Sequence, residues 1–279
     1  MNFLFWNINK KDSFYQSIGK MTQEYDIDVL MIAELGKDDE DNLLSAINDC
    51  YGTETFVYIP GYNWTKVQVF AKRNMRIGSF DETGKRICAF KIYSEILQKD
   101  IILFPLHFYD KYSYCAEEQN ERIEKIKTFI EEVENRHAPD ERMSIVCGDF
   151  NLNPFETPMI KTRGMHAVMD SSIAKKGGRT VEATDYHYFY NPMWGFYGDN
   201  GKGGKICGTY FLNRSHHIEL FWHLLDQVII RPKLIEYFND DGLEIITQID
   251  GKNSLLNNNG KIDQTRYSDH LPLKFCVNI

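Results

Sequence analysis

Short runs of almost unbroken apolar residues, each of strand length and set between amphipathic stretches, limit most tightly what this chain can fold into. Ile27-Asp-Val-Leu-Met-Ile-Ala33 and Met143-Ser-Ile-Val-Cys147 have no polar face, as expected of strands covered on both sides. Residues 2–8 read as a third such strand, followed by a helix over 13–25 with Ser13 as its N-cap. Further strands are expected at 54–59, 66–71, 86–93, 101–107, 223–230, 243–249 and 273–277, and a weaker helix at 39–48. The clearest helix is 116–136, where Ile123, Ile126, Phe129, Ile130 and Val133 recur at three- and four-residue steps opposite a Glu/Lys-rich face. Residues 175–215 read as one long irregular region rich in Gly, Tyr, Phe and His. Hairpin-like and helical connections in one chain predict an α/β layered sandwich with mixed sheets, and nothing marks a boundary that would divide residues 1–279 into two domains.

With 279 residues the chain can bury roughly 75% of its unfolded surface, so it needs no staples. Six cysteines without a Cys-x-x-Cys pair, several inside apolar runs, are read as buried thiols in a reducing compartment rather than a disulfide or zinc framework. No apolar run approaches the ~20 residues that span a bilayer, and the start Met1-Asn-Phe-Leu-Phe-Trp6 lacks the basic end of a signal peptide. The sequons Asn63-Trp-Thr65 and Asn213-Arg-Ser215 are therefore read as chance, and the expected location is cytoplasmic. A net charge of -8 excludes a polycationic nucleic-acid binder but not an enzyme that meets phosphate through a bound cation.

Polar residues stand at the ends of the apolar strands. They are Asn7-Ile-Asn9, Glu34 after Ala33, His107, Gly148-Asp149-Phe-Asn151, Asp226 and Ser268-Asp269-His270 before the last strand. Packing does not require them there, and a desolvated carboxylate is costly unless it is paired or holds a metal. Each alone is ordinary: a solvated cap, a core histidine, a turn residue. Gathered at one edge they make an oxygen-rich pocket suited to Mg²⁺ or Mn²⁺, with histidines left for proton transfer and for holding a charged oxygen.

The set Trp6-Asn7-Ile-Asn9, Ala33-Glu34, His107, Gly148-Asp149-Phe150-Asn151, Leu225-Asp226 and Ser268-Asp269-His270 resembles the endonuclease/exonuclease/phosphatase superfamily, the DNase I-like phosphoesterases, in family order from residue 6 to 272. The resemblance implies a four-layer α/β sandwich with two central mixed β-sheets and a site at one edge. It implies Glu34 as the principal metal carboxylate, helped by Asn7 and Asp269, with Asn9 contacting metal-bound water or phosphate. Asp149 and Asn151 would orient the attacking water, and His270 would support charge on phosphorus while Asp226 holds its imidazole. His107 matches the histidine of the DNase I and sphingomyelinase branches.

Competing motifs fail: Gly201-Lys-Gly-Gly-Lys205 has neither the spacing nor the Ser/Thr of a P-loop, and His216-His217 has no zinc partners nearby. Substrate choice would rest on loops, and the aromatic stretch 186–197 with nearby cations is the candidate: Tyr190, Trp194, Lys202, Lys205 and Arg214 could stack bases and follow a phosphate backbone. A Mg²⁺-dependent nuclease is the first expectation, with nucleic acid as substrate and no protein partner evident. A phosphoesterase on a phosphoinositide, a sphingomyelin-like lipid or a small phosphoester is the second. A silent binding protein on the same fold is the third, disfavoured because every site position is intact.

Overall fold

The computed structural model describes residues 1–279 apart from 63–65, 85, 139–140, 205 and 216 and the side chains of 81–83, so Lys205 and the first sequon lie outside the described residues. In chain order the elements are β1 (Asn2–Asn7), α1 (Tyr15–Glu24), β2 (Val29–Ala33), α2 (Glu40–Tyr51), β3 (Phe56–Ile59), β4 (Val67–Lys72), β5 (Ile77–Thr83), β6 (Cys88–Ser94), β7 (Lys99–His107), α3 (Ala116–His137) and β8 (Ser144–Asp149). Shorter elements follow, among them the strands Asp226–Ile230, Phe238–Ile245 and Leu273–Val277.

Two mixed sheets carry the architecture. The first has the order Phe238–Ile245, Leu273–Val277, β1, β2, β4, β3; the second runs β5, β6, β7, β8, Asp226–Ile230, Phe189–Tyr190, Ala167–Val168. β1 and β2 are parallel and joined through α1, and β7 and β8 are parallel and joined through α3, as same-sheet parallel strands require a crossover. Alternate residues of β7 and β8 divide between two cores. Ile101, Leu103, Ile145 and Cys147 face the first sheet and its helices, whereas Ile102, Phe104, Leu106 and Val146 meet Ile123, Ile126, Ile130 and Val133 of α3. The protein is thus a four-layer α/β sandwich, helices outside and two mixed sheets within.

Register places the polar strand ends. Asn7 pairs with Ala33, which leaves Glu34 just beyond it. On the second sheet His107 pairs with Asp149, and Asp149 with Asp226, in one row. Gly148 lets the sheet close there: a Cβ at this position would stand 1.8 Å from the Leu106 carbonyl oxygen.

Several sequence expectations are corrected. Ser13 does not cap α1; the helix begins after Phe14 with no side-chain cap, because Phe14 is drawn into the core against Trp6 and Tyr267 at 4.9 and 5.7 Å. Residues 175–215 are not wholly irregular, since Gly178–Val181 and Thr184–His187 form a hairpin and Phe189–Tyr190 joins the second sheet. That hairpin turns on Glu182 and Ala183, both at positive φ (48° and 60°), where Asn-Gly usually signals the turn. Residues 243–249 are not one strand: Phe238–Ile245 carries a bulge, and Gln248–Ile249 belongs to a separate small hairpin. Of the six free cysteines only Cys88 and Cys147 are buried. Cys276 sits in an apolar-looking strand but on its half-exposed face, and Cys115 is the exposed N-cap of α3, where Glu118 accepts the Cys115 N–H at 3.0 Å. Among the described residues no helix is long and apolar enough to cross a membrane.

Candidate active site

The C-terminal ends of β1, β2, β7 and β8 open on a cavity of about 400 Å³ whose walls include Asn7, Glu34, His107, Asp149, Asn151, Asp269 and His270. Asn7 is the link between the sheets: its Nδ2 donates to Glu34 Oε1 at 3.3 Å and to Asp149 Oδ2 at 3.1 Å. Asp149 is fixed at its other oxygen by the Asn151 N–H (2.8 Å), and the Asn151 amide donates to the Phe108 carbonyl (3.2 Å). His107 Nε2 lies 3.5 Å from Glu34 and 3.6 Å from Asp149, within reach of both carboxylates. Glu34 and Asn151 both leave their strands at positive φ (54° and 51°), which turns their side chains toward the cavity.

The Ser268-Asp269-His270 turn is fastened to β1 from the far end of the chain. The Ser268 hydroxyl donates to the Asn7 carbonyl, and its oxygen accepts the His270 N–H at 3.1 Å. Trp6 Nε1 donates to the His270 carbonyl at 2.8 Å. His270 Nδ1 meets Asp226 Oδ2 at 2.7 Å, with Asp226 fully buried. The ring is thereby fixed, and its other nitrogen is left to the cavity.

A model of the Endonuclease/Exonuclease/phosphatase family matches residues 4–270. The chain belongs to this family. The fold is shared with an endonuclease/exonuclease/phosphatase family protein from Leptotrichia buccalis, at 14% identity over all of both chains and a TM-score of 0.60. It is shared equally with a mannosyl-6-phosphatase from Bacteroides thetaiotaomicron (14% identity, 99% of this chain and 98% of that one, TM-score 0.57). D. rerio TDP2, complexed with single strand DNA product, is a third likeness (14% identity, 100% and 99% covered, TM-score 0.54). Compared with curated proteins the chain finds no match. The endonuclease/exonuclease/phosphatase superfamily consists of metal-dependent phosphoesterases, and the edge just described carries groups suited to that chemistry.

The donor set fits a hard divalent cation, because Glu34, Asp149, Asp269 and Asn7 bring only oxygens and amide groups to the cavity. Burial, and next to it the Asp226 charge, push the Asp149 carboxyl up to about 7 although the charged His270 pulls the other way. Such a carboxylate gains from a cation beside it. Asn7 as it stands gives its NH₂ to both carboxylates and its oxygen to the Asn9 N–H at 3.1 Å; liganding by that oxygen needs the amide turned over. Asp149, Asp226 and His270 also set three ligating atoms within 4.8 Å of one another. His270 Nδ1 is already engaged by Asp226, so this group serves better as a proton relay than as a cation cage.

Burial alone would discharge His270, but the Asp226 charge and hydrogen bond, with Asp149 and Asp269 beyond, raise its pKa from 6.5 to about 10. His107 goes the other way, lowered to about 3 by burial and by the charges of Arg86, His270 and Lys66. At pH 7 His270 is thus an imidazolium and His107 a neutral imidazole. Since the folded pKa of His270 lies above its unfolded value, the stability it adds is complete below pH 6.5 and lost as pH rises through about 10. In chelator, the urea-unfolding difference between the wild type and His270→Asn should therefore be largest near pH 6 and shrink toward pH 10. A difference that grows over that range contradicts a charged His270.

Of the other expected residues, Arg214 lines the cavity, whereas Asn9 is exposed and contributes its backbone N–H to Asn7. Tyr190, Trp194 and Lys202 do not line it. Tyr190 pairs with Ile230, at the opposite end of the strand from Asp226 and so roughly 13 Å along it. Trp194 packs edge-on to Tyr197, and Lys202 lies toward Asp240, Asp241 and Glu244. Sequence reasoning missed Arg86, Tyr210 and His223, all in the wall. Arg86 stands one residue before the isolated Ile87–Leu106 bridge, with its carbonyl accepting the His107 N–H at 3.1 Å. The rule that singled out the carboxylates, a polar residue at a strand end, applies to it equally. Tyr210, whose ring lies 4.8 Å from that of His270, and His223 face each other in a two-residue ladder for which no periodic signal exists.

Proposed function

We propose that this chain, acting as one domain over residues 1–279, hydrolyses phosphodiester bonds of nucleic acid with Mg²⁺ or Mn²⁺ as cofactor. The observation that carries the reading is a charged, Asp226-held His270 sharing one cavity with the Glu34–Asn7–Asp149 cluster. Glu34, Asn7 and Asp269 would hold the cation, which when bound neutralises charge on the phosphate oxygens. Asp149, pinned at both oxygens, is placed to orient a water and take its proton; Asn151 holds it there. His270 offers a positive donor to charge that develops on phosphorus, and neutral His107 offers a ring N–H between Glu34 and Asp149 without adding charge.

Nucleic acid is favoured by the cavity rim, where Arg86, Lys111 and Arg214 stand with Tyr112, which is 91% exposed. Cations beside an unpacked ring suit a base and its phosphate, and the D. rerio protein of the same fold is described with a single strand DNA product. A small phosphoester is the second reading. A cavity of about 400 Å³ lies in the range of small-ligand sites, and the Bacteroides relative is described as a mannosyl-6-phosphatase. Plasmid, single-stranded DNA and RNA incubated with Mg²⁺ or Mn²⁺ should be cleaved, and chelator should stop it. Turnover of sugar phosphates or lipid headgroups with every nucleic acid left intact would overturn the nuclease reading. A silent binder is separated by calorimetry, where divalent cation should bind and Glu34→Gln should abolish it.

A further inference from the structure

Directly after β1 the chain makes a tight turn, and successive residues of that turn reach different parts of the candidate site. The Lys11 N–H closes it on the Ile8 carbonyl at 3.1 Å, with Asn9 and Lys10 between them at positive φ (49° and 57°). Two left-handed residues in succession mark a type I′ turn, which Asn enters readily and Lys only at a cost. The conformation places polar groups. The Asn9 N–H donates to the Asn7 side-chain oxygen at 3.1 Å, and the Lys10 N–H to the Glu34 carbonyl at 2.9 Å.

Lys11 reaches the other end of the chain. Its ammonium donates to the Gln264 carbonyl at 2.6 Å and to the Tyr267 carbonyl at 2.7 Å. Both carbonyls belong to a single helical turn, in which the Tyr267 N–H meets the Asp263 carbonyl at 3.0 Å. The Asp263 side chain accepts the Thr265 and Arg266 N–H groups at the start of that turn. At its end the carbonyls have no further helix to bond, and a lysine satisfies them. Ser268, Asp269 and His270 follow at once. Lys11 thus holds the base of the segment that carries Asp269 and His270. The Ser268 hydroxyl on the Asn7 carbonyl and the Trp6 indole on the His270 carbonyl hold the segment itself.

We infer that Lys11 is a positioning residue for the reaction: it seats the 263–267 turn so that Asp269 and His270 meet Glu34 and Asp149 across the cavity. This rests on the phosphoesterase reading and adds a residue to it. Lys11 does not line the cavity, so its contribution passes through the backbone of 264–267. An apolar side chain there leaves both carbonyls without the ammonium and frees the turn to move relative to β1. A misplacement of about 1 Å can cost about 100-fold in rate.

The test compares the full-length wild type with Lys11→Met and Lys11→Arg in Mg²⁺, on bis(p-nitrophenyl) phosphate or p-nitrophenyl phosphate, whichever the wild type turns over. Lys11→Met should lower kcat about tenfold while KM stays within about twofold, because the displaced groups act on charge that develops during reaction. Lys11→Arg keeps donors for both carbonyls and should recover most of kcat. A second readout needs neither turnover nor metal. In chelator, hydrogen exchange at the Trp6 indole N–H, bonded to the His270 carbonyl, reports how firmly the turn is seated. Lys11→Met should speed that exchange about tenfold and leave the buried Trp194 indole unchanged. Circular dichroism and a retained melting transition verify folding, and Lys11→Gln takes the place of Lys11→Met if the latter does not fold. Wild-type kcat in the folded variant, unchanged exchange at Trp6, or an equal loss in Lys11→Arg overturns the inference. Failure of the catalytic reading shows differently: Trp6 exchange depends on Lys11, yet the wild type cleaves no phosphoester.

Discussion

Asp149→Ala and His270→Ala should each lower kcat/KM for a chromogenic phosphodiester in Mg²⁺ by about 30- to 150-fold or more, equivalent to about 2–3 kcal/mol in the barrier. The reason differs between the two. Asp149 is held by Asn7 at 3.1 Å and by the Asn151 N–H at 2.8 Å, so its loss removes the one fully fixed carboxylate facing the cavity. His270 is held charged by Asp226, and its loss leaves Asp226 buried with neither oxygen paired, one of them lacking a partner already. Burying an unpaired carboxylate is costly, so His270→Ala should also lower stability, whereas Asp149→Ala should raise it slightly in chelator by removing a carboxyl pushed up to about 7. Near-normal turnover by both folded variants removes the assignment.

The strand ends were legible because their logic is local. Asn7, Glu34, His107, Asp149 and Asp226 each interrupt an apolar run, and register then sets them in adjacent rows. Ser268-Asp269-His270 was legible as a motif, but nothing local says that a serine hydroxyl at 268 will close on the carbonyl of residue 7. The cavity rim was less legible. Tyr210 and His223 belong to two-residue strands, too short for a period of two to be seen. The aromatic stretch around Tyr190 and Trp194 was read toward substrate because rings beside cations look alike whether they stack a base or fill a core. The ladder pairing of Tyr190 with Ile230 decides between the two. Composition likewise could not distinguish acids at a cation site from acids on a solvated face. The net charge of -8 includes both.

The largest effect on stability should come from the opposite end of the second sheet. Arg231 and Glu134 are both within 1% of complete burial and pair twice, Nε to Oε1 at 2.8 Å and Nη2 to Oε2 at 2.6 Å. Arg231 Nη1 also donates to the Tyr188 carbonyl at 3.0 Å, and the guanidinium lies 3.8 Å over the Phe189 ring. The pair ties α3 to the sheet, but burying two charges contributes little net stability by itself. Removing one partner is another matter, because the other loses both short bonds and keeps only a distant counter-ion, Arg142 at 3.8 Å from Glu134 or Glu131 at 4.0 Å from Arg231. Glu134→Gln and Arg231→Met should each cost about 3–5 kcal/mol in urea unfolding, a large share of the 5–15 kcal/mol typical of a folded domain. The double change Glu134→Leu with Arg231→Met should cost less than either alone, since the two most closely paired charges leave together. Losses that simply add would mean that the two side chains act through packing and not as a pair. Because Asp226 lies at the other end of the same strand, turnover per folded molecule should be unchanged in all three.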